Sequence, residues 1–392
     1  MALPVRKVSK KALAQARRIR EDLHRHPELG YQEERTASVI AAFLRDLGLD
    51  EVRTGVAETG VVGLLRGGDG NRTVALRADI DALPIREETG LPYASVHEGL
   101  MHACGHDGHT AILLAVARLL AGMREKLPGN VKFIFQPAEE GGAGGRRMVE
   151  EGVLHAPEVD AIFALHGSSE INPGQIRLAP IPNAAMMSFR VDISGRGAHG
   201  AAPHVSVDPI LIGAQIVVAA QSIVSRETRP DTPAVISICA FNGGTKENII
   251  PDGARLLGTI RAVEMPVLRG LARRLGRVAR GVAKSLRGSA EFSDFGQYPP
   301  TVNDPGLLEM VRGVGTELLG RRNVLQATEQ RMGAEDFSFY LSSQGGVPGV
   351  IFRLGVESET NLHTSRFDFG SAALEPGILM LANVALAALE QG

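Results

Sequence analysis

The decapeptide Met101-His102-Ala103-Cys104-Gly105-His106-Asp107-Gly108-His109-Thr110 carries three histidines, one cysteine and one aspartate. Cys104 and His106 are separated by a single residue. In an extended segment that spacing turns both side chains to one side, where they can grip one metal. The pair is a weak signal alone. It gains weight from three later segments that offer metal-type ligands at predicted strand ends or in loops: Gln136-Pro137-Ala138-Glu139-Glu140, Ala164-Leu165-His166-Gly167 and Asn361-Leu362-His363-Thr364. Together they suffice for a two-metal site.

Glu139 and Glu140 are the most informative pair. Neighbours at a strand end do not easily both bind one ion, so one can coordinate while the other moves a proton. Close like charges push one pKa up, and a cation pulls the other down. A ligand beside a general base is what metal-assisted hydrolysis needs. The bland alternative is a solvated helix start, where acids favour the dipole. Cys104 reads as a nucleophile, a metal ligand or a packed thiol. Its Gly, His and Asp neighbours argue against a packed thiol, and the nearby carboxylates favour a metal over a thiol–imidazole pair. Cys239, within the apolar Ile236–Ala240, reads as structural. Asp79 and Asp81 alternate at the end of a predicted strand and share a face, either toward a ligand or as a turn pair. His24 and His26 are expected at the surface or as caps. His97, His102, His109, His155 and His204 receive no role. Gly195-Arg196-Gly197-Ala198-His199-Gly200 mimics a dinucleotide fingerprint, but no helix opens there. Gly141–Gly145 lacks the Lys-Ser/Thr of a phosphate loop.

The elements that must position these residues follow from periodicity. Helices are expected at Lys7–His26, Glu33–Leu47 and Gly108–Lys126, the last capped by Asp107. Strands are expected at Thr59–Arg66, Arg72–Ala78, Asn130–Gln136 and Val159–Leu165. Gly67-Gly68-Asp69-Gly70 reads as a hairpin turn between the first two. Strand, ligand, helix recurs, as in an α/β layer with side chains at the strand ends. The composition changes at Ala179–Pro182. A β-α-β-β-α-β order follows, the ferredoxin-like arrangement. After Tyr298-Pro299-Pro300 the α/β character returns, with a helix at Asp304–Gly320, a strand at Gly349–Leu354 and a helix at Ala372–Leu389. A smaller domain, 183–298, thus reads as inserted into a larger one formed by 1–182 and 299–392.

The 392 residues fit two or three domains, 44% of them are hydrophobic, and the net charge is -2 without charged blocks. That balance argues against nucleic acid or an anionic membrane as partner. Two distant cysteines fit a reducing cytoplasm. The basic start Met1–Arg20 has no apolar core of a signal peptide, and no run of about 18 apolar residues is expected to span a membrane.

The decapeptide, the Gln136–Gly141 motif, His199 within Gly195–Pro203, Met332-Gly333-Ala334-Glu335-Asp336-Phe337 and Leu362-His363 together resemble the M20 metallopeptidases. More narrowly, the resemblance is to the branch of aminoacylases, hippurate hydrolases and indole-acetyl-amino-acid hydrolases. Arg25–Gly30 and Leu76–Pro84 also fit. The resemblance implies an α/β zinc-peptidase-like catalytic domain with a two-metal site and an inserted ferredoxin-like α+β lid that mediates dimerisation. It makes Cys104, His106, Glu140, His166 and His363 the ligands of two divalent ions, zinc or manganese, with cobalt or nickel as further options, and Cys104 the bridge. It makes Glu139 the general base and acid, and Asp81 the support of the centre. Asp79 falls where other branches place a ligand histidine. His199 matches an oxyanion-steadying histidine, Asn248 and Arg261 match contacts to a substrate carboxylate, and Gly333 falls in a substrate-binding motif. The implied activity is hydrolysis of N-acyl amino acids by a cytoplasmic homodimer or dimer-based oligomer. The alternatives are a dipeptidase or carboxypeptidase of the same family, a Cys104 thiol amidase, or a silent N-acyl amino acid binding protein.

Overall fold

The computed structural model describes residues 5–68 and 70–391. It divides into two units: Met1–Pro182 with Val302–Thr328 and Phe339–Gly392, and Asn183–Thr301 with Glu329–Ser338. The second unit thus takes up the segment 329–338, which carries Gly333, in addition to the expected insertion.

In the first unit, α1 (Lys10–Arg25) begins where the Ser9 hydroxyl accepts the Ala12 N–H at 3.2 Å. Helix α2 (Glu34–Asp46) is followed by Gly48 at φ 68°. The strands are β1 (Glu51–Val56), β2 (Gly60–Leu65), β3 (Thr73–Asp79), β4 (Asn130–Gln136), β5 (Ala161–Ser168) and β6 (Ile176–Leu178). Helices α3 (His106–Ala121) and α4 (Gly144–Glu150) follow β3 and β4. Strands β2, β3 and β5 are buried along their whole length, as their continuous apolar runs require. Helix α3 and the closing helix Leu374–Leu389 pack on β3 and β5.

The expected hairpin does not form. Strand β2 pairs antiparallel with β1 and β4, and β3 pairs parallel with β4 and β5. Strand β1 went unforeseen because Glu51–Val56 lies on the sheet edge, is mostly exposed and has little apolar signal. The turn includes Asp69, which lies outside the described residues. Its glycines serve packing instead: a Cβ on Gly67 would sit 2.1 Å from the Gly129 carbonyl, and one on Gly70 1.8 Å from that of Pro128.

The second unit holds β7 (Ala185–Ser194), β8 (Ala198–His199), α5 (Pro209–Glu227), β9 (Ala234–Gly243), β10 (Ile249–Ile250), β11 (Gly253–Ala262), α6 (Met265–Ser285) and β12 (Ser289–Tyr298). Its main sheet is antiparallel in the order β12-β7-β11-β9, the ferredoxin-like arrangement. Phe189, Val191, Leu256 and Ile260 point to a core shared with α5 and α6. Helix α5 corrects one expectation: by length and composition it is apolar enough to cross a membrane. Its Ile212, Ile216, Ala220 and Ile223 stripe, however, belongs to this core. Cys239 is a second correction, since it is exposed on the edge strand β9.

Back in the first unit, α7 (Pro305–Leu319), β13 (Val324–Gln326) and β14 (Gly349–Gly355) complete an eight-stranded sheet, order β1-β2-β4-β3-β5-β14-β6-β13. Buried Asn303 acts there as a strand mate. Its amide donates to the Ala179 and Ile351 carbonyls at 2.8 and 2.9 Å and accepts the Ile351 N–H at 2.9 Å. Asn303→Ala leaves buried backbone groups unpaired and is expected to cost about 2–3 kcal/mol, read as a lower urea midpoint at unchanged slope.

Candidate metal centre

Strands β4, β3, β5 and β14 run parallel, and β3 lies between β4 and β5. The strand order reverses there, where α/β sheets bind ligands at the carboxyl ends. Asp79 ends β3, Gln136 ends β4 just before Glu139-Glu140, and His166 lies within β5. The decapeptide turns into α3 at Gly105, whose φ of 89° is left-handed. A Cβ on Gly108 would lie 2.5 Å from the Phe369 ring, so the first turn of α3 packs directly on that aromatic.

His106 and His166 are each oriented through one ring nitrogen, His363 through its backbone. His106 Nδ1 is 2.9 Å from the Asp81 carbonyl and 3.2 Å from Asp81 Oδ1, so it donates. Its Nε2 is buried with no hydrogen-bond partner. His166 Nδ1 donates to the Gly167 carbonyl at 2.8 Å, and its Nε2 lies 3.5 Å from Cys104 Sγ. His363 Nε2 lies 3.2 Å from Cys104 Sγ and 3.0 Å from Glu140 Oε1. The His363 N–H donates to the Ala103 carbonyl at 2.8 Å, which ties that loop to the decapeptide. Ligand atoms of Cys104, His106 and His166 lie within 4.8 Å of one another, and so do those of Cys104, Glu140 and His363. Cys104 is common to both triads. Glu139 joins Glu140 and His106 in a third such group. Asp81 binds the arrangement together, because its Oδ2 accepts the Glu140 N–H at 2.9 Å while its Oδ1 faces His106.

The donor set fits divalent cations. Burial pushes the Cys104 thiol well above its usual range, and the charges of Glu140 and Glu139 add to this. A cation is what makes a thiolate stable there. Burial and Arg353 push His166 well down, which keeps the ring neutral and its Nε2 lone pair free. Burial raises the Glu140 carboxyl, but the His363 hydrogen bond and the His106 charge more than reverse that. The orphaned Nε2 of His106 adds a third buried donor to those of Cys104 and His166.

Sequence reasoning missed the layer beneath. His24 is fully buried, not a surface residue. Its Nδ1 meets Asp107 Oδ2 at 2.9 Å and its Nε2 meets Glu87 at 3.3 Å. Asp107 is therefore no helix cap. It sits inside α3 and also faces Arg20 at 3.7 Å. His26 is the C-cap residue of α1, as expected. No spacing signal links residues so far apart in sequence. His109 was legible: it lies three residues beyond His106 on a helix, hence on the same face.

The remaining expected site residues lie in the second unit. His199 pairs with Ile249 across β8 and β10, and the Gly200 N–H donates to the Asn248 carbonyl at 2.8 Å, so His199 and Asn248 are neighbours. The Ala201 N–H donates to His199 Nδ1 at 3.1 Å, which leaves the proton of the neutral ring on Nε2. Arg261 donates to the Met332 carbonyl at 2.8 Å, beside Gly333, whose own carbonyl accepts the Ala184 N–H.

The family model described as peptidase family M20/M25/M40 matches residues 75–387. The chain belongs to this family. Its members are metal-dependent amidohydrolases and peptidases, and this M20 chain is an enzyme of that kind. It is 38% identical to N-acetylcysteine deacetylase of Bacillus subtilis over 95% of this chain and 96% of that protein. It is 40% identical to thermostable carboxypeptidase 1 of Saccharolobus solfataricus, over 94% of each. A solved Bacillus subtilis structure, a dinuclear metal binding peptidase of family M20, superposes with a TM-score of 0.84 at 34% identity, covering 98% of this chain and 100% of that one.

The layer under this M20 site predicts a pH dependence. Burial alone would lower the His24 ring, but the charge and hydrogen bonds of Asp107 and Glu87 lift it to about 9. The folded value exceeds the unfolded one, about 6.5. The stabilisation is therefore complete below about pH 6.5 and is lost as pH rises through about 9. The melting temperature of the metal-free protein is expected to fall across that window. His24→Asn should flatten the slope; an unchanged slope would refute the ion pair.

Proposed function

We propose that the chain hydrolyses the amide bond of N-acyl amino acids, releasing a carboxylic acid and a free amino acid. The observation that carries this is the pair of triads sharing Cys104, with Glu139 beside them. In this reading Cys104, His106, Glu140, His166 and His363 would hold two divalent ions, zinc or manganese, or else cobalt or nickel, and Cys104 is the residue common to both triads. The mixed Cys/His/Glu donor set suits these metals. The bound ions supply the positive charge that lowers the pKa of an attacking water and polarises the amide carbonyl.

The chain's own residues do the rest. Glu139 takes a proton from that water and returns it to the leaving amine. Asp81 keeps His106 on its Nδ1–H tautomer and so directs Nε2 at the centre. His199, with its proton on Nε2, donates to the tetrahedral oxyanion. Arg261 and Asn248 bind the carboxylate of the amino acid, the guanidinium by two parallel bonds, and Gly333 leaves backbone room for it. A Cys104 nucleophile is disfavoured, because burial and two carboxylates suppress its thiolate without a metal. A non-catalytic binding protein has no use for Glu139. The chain is proposed to act in the cytoplasm as a homodimer. Exposed apolar side chains of the second unit, Leu211 and Val218 on α5 and Phe241 on the edge strand β9, support the dimer.

A second reading, carboxypeptidase or dipeptidase action, is favoured by the carboxypeptidase relative. The two differ only in the acyl side. Release of amino acid from hippurate, N-acetyl amino acids, an indole-acetyl conjugate and dipeptides separates them. Each is tested as purified, after chelation, and after return of zinc or manganese. Chelator-sensitive release restored by one metal is expected. Release that survives chelation but dies on thiol alkylation would overturn the reading. Glu139→Gln is expected to lower turnover at least about 100-fold while both ions stay bound; full activity would remove Glu139 from the mechanism.

A further inference from the structure

Asp79 stands where other branches of the family place a ligand histidine, yet its carboxylate is fully buried and both oxygens have partners. Oδ1 lies 2.6 Å from His109 Nδ1, and Oδ2 accepts from the Arg77 guanidinium at 2.7 Å. The other face of His109 decides its protonation. The Gly167 N–H donates to His109 Nε2 at 2.8 Å. A backbone N–H can only donate, so Nε2 carries a lone pair and the proton is on Nδ1. Asp79 receives that proton's hydrogen bond. The ring is thus fixed from both sides as one neutral tautomer, with no lone pair left for a metal.

The position of this bond gives it a purpose. The pairing of β3 with β5 runs from Val74–Ala161 to Arg77–Ala164 and then stops. Beyond it β5 continues through His166 and Gly167, held on its other side by β14. The His109 ring takes the place of the missing strand at Gly167, next to the proposed ligand His166. It stands one turn after His106 on α3, with ring centroids 5.4 Å from His106 and 4.8 Å from His166. The chain of contacts extends on. Arg77 Nε donates to Gln136 Oε1 at 2.8 Å, at the end of β4 where the Glu139-Glu140 segment departs.

We propose that Asp79 and His109 are a positioning pair: Asp79 locks the His109 tautomer, and His109 holds the end of β5 so that His166 and His106 converge. A ligand role for Asp79 would place a cation against the Arg77 guanidinium. This inference rests on the metal-centre reading of Cys104, His106 and His166.

Two measurements on the whole chain test it. In the metal-free protein, nitrogen-15 and proton NMR should show His109 with a downfield Nδ1 proton and an unprotonated Nε2, and Asp79→Asn should shift that proton upfield. An Nε2-protonated or doubly protonated His109 would overturn the proposal. The second is chelator competition with zinc and with manganese. Asp79→Asn and His109→Leu should each weaken binding about 10–100-fold while the number of ions per chain stays that of the unaltered protein. His109→Gln, which keeps a donor and an acceptor, should restore most of it. Loss of one ion in Asp79→Asn, with His109→Leu unchanged, would make Asp79 a ligand and defeat the proposal. An unaltered protein that binds no ion would sink the metal reading, and the NMR result would then decide the positioning pair alone.

Discussion

The Asp81 carboxylate is the constraint on which the site depends. One oxygen takes the Nδ1–H of His106 and the other the N–H of Glu140, so a single side chain joins a helix start to the loop after β4. Both partners are buried or half-buried, where an unpaired polar group is costly. The loop and the helix cannot shift independently without leaving one oxygen bare. Orientation follows from that economy: His106 and His166 each spend Nδ1 on the scaffold and present Nε2.

Beneath it lies a second set of buried charges. Arg20 is wholly buried and meets Asp368 at 2.6 Å and Asp107 at 3.7 Å, while Asp107 also holds His24. Buried ion pairs seldom add net stability over apolar packing, but they fix geometry, because each partner is intolerable alone. Here they fasten α1 to the first turn of α3, the turn that begins with His106. Registration of that turn, more than strength, is what such a network contributes.

Much of this was written in local chemistry. Cys104 and His106 share a short segment, Glu139 and Glu140 follow a proline after a buried strand, and His166 and His363 stand outside apolar stripes. Those signals are short-range and survive without a fold. The ferredoxin-like order was legible for the same reason, since its central strands β7 and β11 alternate cleanly. What failed was pairing at a distance. The glycine turn after β2 looks like a hairpin locally, yet β4 fills the place beside β2 by long-range pairing. His24 looked like a surface residue because its acid partner lies 83 positions away. Cys239 looked structural in an apolar strand, but that strand is at a sheet edge. His109 carries a helical-spacing signal, but its meaning lies in the backbone of β5, whose Gly167 N–H it accepts.

The first unit is built from three stretches of chain, and its last stretch brings both His363 and the helix Leu374–Leu389 that covers β3 and β5. During synthesis, which runs from the amino end, every residue of the second unit emerges before that stretch does. A nascent chain can thus complete its ferredoxin-like unit while the eight-stranded sheet still lacks β14 and its covering helix. In the proposed reading, the donor set around Cys104 is complete only once residue 363 has emerged. A chain stalled before residue 363 would have its ferredoxin-like unit finished and the Cys104–Glu140 cluster short of its histidine.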